Sequence, residues 1–263
     1  MGDWDIGKDW MSRMDDIGEK TLGPVAIHGG LQLKRREQNR AAFKGSKEWE
    51  PLTQAHASAM SALVNFLSRM AAKPIPADRK DVQGQAALIA HFVQGVDLCE
   101  TAIVEGLYPQ AATLLRQQHE IIAAVEEFTE GRRKDGKTPH ATIGVLRDMG
   151  RVYGDLSGGA HVSHANLLKN FVIMEIGQNN GPSLLPIYHH EITTNLYALH
   201  VSYILMMLEL AGDIQNGVTG DTLNPDEVKL HLIGREILVD LGLIRFEEAP
   251  DTQIAKATDS VTA

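Results

Sequence analysis

The sequence predicts an all-α fold, a helical bundle of about six helices, on three observations. Hydrophobic residues make up 43% of the 263-residue chain but aromatics only 5%, and the apolar content is rich in the aliphatic and small residues that favour helix over sheet. Apolar residues recur at spacings of three and four over most of the chain. No stretch sustains strand-like alternation, and no internal repeat occurs.

The elements follow in order. Residues 1–45 read as an irregular segment, with glycine every few residues and a basic stretch, Lys34–Lys44, that is either a short helix or a solvated arm. Residues 46–246 form the helical domain. Its first helix carries Trp49, Leu52, His56, Met60, Leu63, Leu67 and Met70 on one stripe and ends at Pro74 and Pro76. Asp78 is the expected N-cap of the second, which runs to about Glu105. A third begins near Pro109, places Leu114, Gln118, Ile121, Val125 and Phe128 on one face, and ends at "GRRKDGKTP". A fourth spans about Ala141 to Ser157. "NFVIMEIG", Asn170–Gly177, is the best strand candidate but reads as helix or extended linker, and "GQNNGPSLLP" as a loop. A long helix covers about His189 to Asp213. The last opens with Asn224 as N-cap, Pro225 at the first helical position and acids in the first turn, and runs to about Leu243. Residues 247–263 read as a flexible, disordered tail.

Composition narrows the function. A net charge of −9 argues against a diffuse nucleic-acid surface while leaving room for a local basic patch. The single cysteine, Cys99, lies in an apolar helical pattern, so inert packing in a reducing compartment is expected. The N-terminus is too polar for a signal peptide, and the longest apolar run, "YILMMLELA", is far short of the ~20 residues of a membrane span. The expected location is the cytoplasm, without membrane attachment. Glu-x-x-His pairs, zinc signatures, dinucleotide fingerprints and nucleophile elbows are all absent from the sequence. No cofactor and no metal is expected.

Two segments stand out as candidate sites. In "YGDLSGGAHVSH", a helix that continued through Gly158 and Gly159 would put Tyr153, Ser157 and His161 on one stripe, with His164 on the same side. The alternatives are a satisfied buried network that fixes a helix crossing, or a helix that ends at the glycines and leaves the histidines in solvent. In "TLLRQQHEIIAAVEEF", Arg116 and Glu120 are four apart, roughly opposite the apolar stripe and beside Ala112 and Ala123. They are either an exposed ion pair or the edge of a second layer, for which the Tyr153 stripe is the natural partner.

"LLRQQHE" followed by Tyr153, Leu156, Ser157 and His161 resembles a group of uncharacterised bacterial all-α proteins related to the HEPN (higher eukaryotes and prokaryotes nucleotide-binding) fold, over about residues 107–170. The resemblance implies a bundle that often dimerises and, in active members, metal-independent RNA cleavage in toxin or phage-defence settings. In those members an arginine and a histidine serve attack by the 2′-hydroxyl, the histidine as general acid or base and the arginine on the phosphorane charge. Here Arg116 and His161 are the candidates for those roles, with Glu120, Tyr153, Ser157 and His164 as their polar surroundings. The chain departs from the family pattern of Arg, four to six residues, then His on a helix: its only such spacing, Arg133 to His140, crosses a glycine- and proline-containing loop. The expectation ranked first is therefore a HEPN-like protein of a stress or phage-defence system that binds a partner, nucleotide or RNA. A purely structural or interaction bundle ranks next, ahead of a ribonuclease guided by the Lys34–Lys44 stretch.

Overall fold

The computed structural model describes residues 23–71, 73, 75, 78–161, 165–176 and 179–244. Among these residues the chain is all-α, with eight helices: α1 (Gly23–Lys44), α2 (Trp49–Ala71), α3 (Lys80–Val104), α4 (Tyr108–Thr129), α5 (Gly150–Ala160), α6 (Ala165–Val172), α7 (His190–Thr219) and α8 (Pro225–Asp240). Helix α7 is the centre, packed by α2, α3, α4 and α8; α2 also packs on α8, α3 on α4, and α5 on the outer side of α4. The core holds Phe43, Leu63, Phe66, Phe92, Leu115, Tyr197, Tyr203 and Met207, all essentially without solvent contact.

Helices α2, α4 and α8 lie close to where the periodicity places them. Asn224 caps α8 as expected, and the cap is reciprocal: its side chain accepts from Glu227 N at 2.9 Å, and Glu227 accepts from Asn224 N at 2.7 Å. The buried Glu227 carboxylate also receives Arg69 through two nitrogens, at 3.2 and 2.7 Å, tying α8 to α2.

Other elements differ from the sequence reading, each for a physical reason. Asp78 does not cap α3; Arg79 occupies that position and makes no side-chain cap bond. Residues 23–44, read as part of an irregular segment, form a helix; residues 1–22 lie outside the described part, as does the tail, 247–263. The basic stretch is not simply solvated. Arg36 bonds to Glu105, Arg40 lies 3.1 Å from the same carboxylate, and Asn39 donates to the Glu105 carbonyl at 2.9 Å. Two of its cations are thus engaged within the protein. Helix α5 starts nine residues later than expected, because buried acids on α4 draw the preceding segment onto themselves. Glu127 accepts from His140 N at 2.8 Å, and Glu126 from Val145 N at 2.9 Å, ahead of a 3₁₀ turn at Gly144–Leu146. "NFVIMEIG" and "GQNNGPSLLP" supply a small antiparallel hairpin, Ile173–Ile176 with Asn179–Pro182, in place of linker and loop. Helix α7 runs six residues past Asp213, to a left-handed Gly220.

Helices α3 and α7 are long and apolar enough, by length and composition alone, to cross a membrane. Counting uninterrupted runs passes over them because charged residues punctuate both. In α7 the apolarity serves the bundle: 67% of its most apolar window is buried inside the protein.

Candidate functional site

The face where α5 lies on α4 brings together four of the residues singled out in the sequence. Helix α5 continues through Gly158 and Gly159 to Ala160, and His161 is its C-terminal cap residue. Tyr153 and His161 therefore share a stripe that meets Arg116 and Glu120 of α4. Glu120 Oε1 is the hub. It accepts from Arg116 Nε at 2.9 Å and from the Tyr153 hydroxyl at 2.9 Å. Another Arg116 nitrogen donates to the ring Nε2 of His161, which is 45 residues away in sequence. The Arg116 guanidinium also lies over the Tyr153 ring, 5.7 Å from its centroid.

This geometry decides between the two readings of the Arg116–Glu120 pair. The side chains are only 19% and 27% exposed, so they form the inner edge of a second layer and not a solvated surface pair. Burial acts to lower the Arg116 pKa, but the Tyr153 phenol and the Glu120 carboxylate outweigh it and leave the value above its ordinary range. The guanidinium is a fixed charge with three neighbours in place. Because arginine only donates, His161 Nε2 accepts in this arrangement and holds its lone pair toward Arg116.

Ser157 is on the same stripe, half-buried, but its hydroxyl makes no hydrogen bond to the cluster; only its carbonyl is used, accepting from His161 N at 2.9 Å. His164 lies outside the described residues.

His119, which the sequence reading passed over, supports the cluster from beneath. Its Nε2 donates to the Ala141 carbonyl at 2.7 Å, which leaves Nδ1 to accept from the Tyr203 hydroxyl at 2.9 Å. The His119 ring packs 5.0 Å from that of Tyr153. Burial lowers its pKa more than the Ala141 bond raises it, so this ring is held neutral.

A cavity of about 800 Å³ opens beside Tyr153, lined by Arg132, Arg133, Lys134, Lys137 and His140 of the α4–α5 loop. Arg133 pairs with Glu127 at 3.2 Å and Arg132 with Glu130 at 2.7 Å. Lys134 and Lys137 make no ion pair among the described residues. In a chain of net charge −9 this is a local concentration of positive charge on a loop pinned by Glu127. Arg133 and His140 belong to the loop and not to a helix, as their intervening sequence implies.

A second polar group crosses the bundle interior, built in part from His56 and Gln118, which the sequence reading counted among the residues of apolar stripes. His56 of α2 stacks on His200 of α7 at 5.5 Å. His200 Nδ1 donates to Gln118 Oε1 of α4 at 3.0 Å, and Tyr197 of α7 donates to Glu100 of α3 at 2.6 Å. His200 has no solvent exposure, and burial, reinforced by His56, pushes its pKa down to about 3. Four helices are thus registered by polar contacts. Cys99 is buried and burial raises its thiol pKa, as inert packing requires.

The fold and the α4–α5 cluster together define a helical-bundle protein with a polar, partly buried site built from two helices and a basic loop. No family model, no curated protein and no solved structure matches the chain.

Proposed function

We propose that this is a HEPN-like helical protein that binds a phosphate-bearing ligand, a nucleotide or RNA, on the α4–α5 face. The observation that carries the reading is the meeting of Arg116 with His161, Glu120 and Tyr153 beside the cationic loop cavity. A fixed guanidinium and unpaired lysines are the groups that grip phosphate oxygens, the first with directed hydrogen bonds and the second as point charges. The α4–α5 loop takes over the electrostatic role expected of Lys34–Lys44, since Arg36 and Arg40 are engaged with Glu105. The same reading keeps the protein in the cytoplasm, as a dimer within a stress or phage-defence system.

Metal-independent RNA cleavage by Arg116 and His161 is the second reading, favoured by the exposure of His161 at the end of α5. Binding ranks above it because Nε2 of His161 is occupied by Arg116 and would have to leave that partner before moving a proton.

The test is binding of a fluorescent single-stranded RNA, with its salt dependence, in EDTA and with the strand recovered afterwards. Arg116→Ala is expected to weaken binding by about tenfold or more. Replacing Lys134 and Lys137 together by alanine is expected to weaken it and to flatten the log–log salt slope by about 1.4. Recovery of intact strand supports binding alone; cleavage lost in both Arg116→Ala and His161→Ala, with folding unchanged by circular dichroism, supports the second reading. RNA and nucleotide affinities that neither set of substitutions alters would refute the site.

A further inference from the structure

We propose that the uncharged outer face of α3 and α4 is where a second copy of this chain docks, antiparallel across a two-fold axis. This gives the dimer of the proposed function its surface and needs no ligand on the α4–α5 face. Helix α3 is more apolar than the bundle requires. Only 39% of its most apolar window is buried, against 67% in α7. Its outward stripe, Ala87, His91, Gln94 and Leu98, is exposed at spacings of four and three residues, and Leu98 is 59% exposed. Thr113 and Gln117 of α4 widen the stripe, joined to it where Gln117 Nε2 donates to His91 Nε2 at 2.8 Å. No acid, lysine or arginine occurs from Val82 to Val96 or from Gly106 to Leu115.

Charge and size select the occupant. A chain of net charge −9 repels its own copy, and this face carries none of that charge. A helix face that lies on a membrane has lysine and arginine along its border and large apolar side chains at its centre. Here the border holds Asp97 and Glu100, and the exposed stripe holds alanine, glutamine, histidine and one leucine. From Val82 to Leu98 the face is about 24 Å long, and with the adjoining helix it is about 20 Å wide. Two such faces meet over roughly 1,000 Å², which suits a specific, reversible dimer below the ~1,200–2,000 Å² of stable complexes.

The stripe is also complementary to itself, as an isologous contact requires. A two-fold axis at the level of the Phe92–Val93 peptide sets Leu98 on the partner's Ala87, a large side chain against a small one. The same axis sets Gln94 opposite the partner's His91. Because His91 Nε2 accepts from Gln117, Nδ1 carries the ring hydrogen, and it makes no hydrogen bond among the described residues. The Gln94 amide oxygen across the axis can accept it. Two acids also come near the seam, one Asp97 from each copy. They stand about 13 Å apart along the helices, beyond the Debye length of ~8 Å at physiological ionic strength, so they oppose the pairing little.

The test is sedimentation velocity of the full-length chain from low to high micromolar concentration, without nucleic acid. A reversible monomer–dimer equilibrium is expected. Leu98→Glu, at an exposed position, is expected to leave the circular dichroism unchanged and to raise the dimer dissociation constant about 100-fold or more, because the dimer then buries an unpaired carboxylate. Ala87→Lys alone is expected to dissociate the dimer likewise, and decides the matter if Leu98→Glu does not fold. The two changes together are expected to restore the dimer. Their positions are about 16 Å apart along one helix, so the new charges can meet only across the pair. Leu31→Glu, at an exposed position of α1, is expected to leave the equilibrium unchanged. A dimer that survives Leu98→Glu, or that Leu31→Glu dissociates in its place, overturns the proposal. A double variant that stays monomeric overturns the antiparallel register. A parent that is monomeric throughout overturns the whole, and flotation of that monomer with phosphatidylcholine vesicles, lost in Leu98→Glu, would give the face to a membrane.

Discussion

Gly106→Ala is expected to destabilise the protein by about 3–5 kcal/mol, combining the cost of a left-handed non-glycine residue with overpacking and a disturbed buried hydrogen bond. Gly106 has φ +76° and sits in the short α3–α4 connection. A Cβ there would lie 2.5 Å from the Ile187 carbonyl oxygen and 2.7 Å from Asn39 Nδ2. The first neighbour is backbone, and the second is the amide that holds the Glu105 carbonyl. Relief of either contact disturbs the junction of α1, α3 and the segment leading into α7. Gly95→Ala is the control: it lies inside α3, nothing lies within 4 Å of its Cβ position, and the change is expected to stabilise by roughly 0.5–1 kcal/mol. Urea denaturation of both variants measures the contrast. Equal midpoints for Gly106→Ala and the parent would show that the connection yields.

Acid is expected to weaken the fold well before its carboxylates titrate. His200 is held neutral, with a pKa of about 3 against an ordinary 6.5. Between those values the unfolded chain binds a proton that the folded chain refuses. The contribution is therefore complete above pH 6.5 and shrinks as pH falls toward 3, by about 1.4 kcal/mol per unit, or about 2 kcal/mol at pH 5. His56 and His119 are lowered in the same direction, chiefly by burial, with Glu100 and Asp97 opposing the shift at His56 and the Ala141 bond and Glu120 opposing it at His119. They steepen the same slope. Stability measured at pH 7.5, 6 and 5 should fall progressively, and His200→Phe should reduce the slope by about one proton. A parent whose stability is level from pH 7 to 5 would contradict the assignment of a neutral, buried His200.

Much of the bundle was legible because local chemistry and packing agree there. The stripe from Trp49 to Met70, Pro109 at the start of α4 and the Asn224 cap all describe interactions the chain makes near at hand. What escaped was set by partners distant in sequence. Helix α1 turns Val25, Ile27, Leu31 and Leu33 outward, so its apolar residues trace no inward stripe. The hairpin strand Asn179–Pro182 contains no β-branched or aromatic residue, and pairing with Ile173–Ile176 overrides its propensity. The late start of α5 depends on Glu126 and Glu127, whose burial periodicity does not announce. At the α4–α5 face, the i, i+4 and i+8 spacing of Tyr153, Ser157 and His161 gave the stripe, but only the fold shows that Ser157 stays out of the network and that His119 enters it. His56 and Gln118 lay in the apolar stripes of their helices and passed for packing; a polar residue at such a position was the one available sign of the His56–His200 contact.

Helix α1 has a different kind of attachment from the rest of the bundle. Only Asn39 and Phe43 of its 22 residues are buried, and a single carboxylate, Glu105, gathers Arg36 and Arg40. Its hold is thus concentrated near the C-terminal end, apolar through Phe43, which packs on Trp49 and Tyr197, and ionic through Glu105. The ionic part weakens as ionic strength rises, while the apolar seams of α7 do not. The first helix can therefore open locally, as a unit of low cooperativity, without the core unfolding. When it does, Glu105, next to the tight turn at Gly106, is left as a buried carboxylate without its two counter-charges, so detachment of one helix is felt electrostatically at the α3–α4 connection.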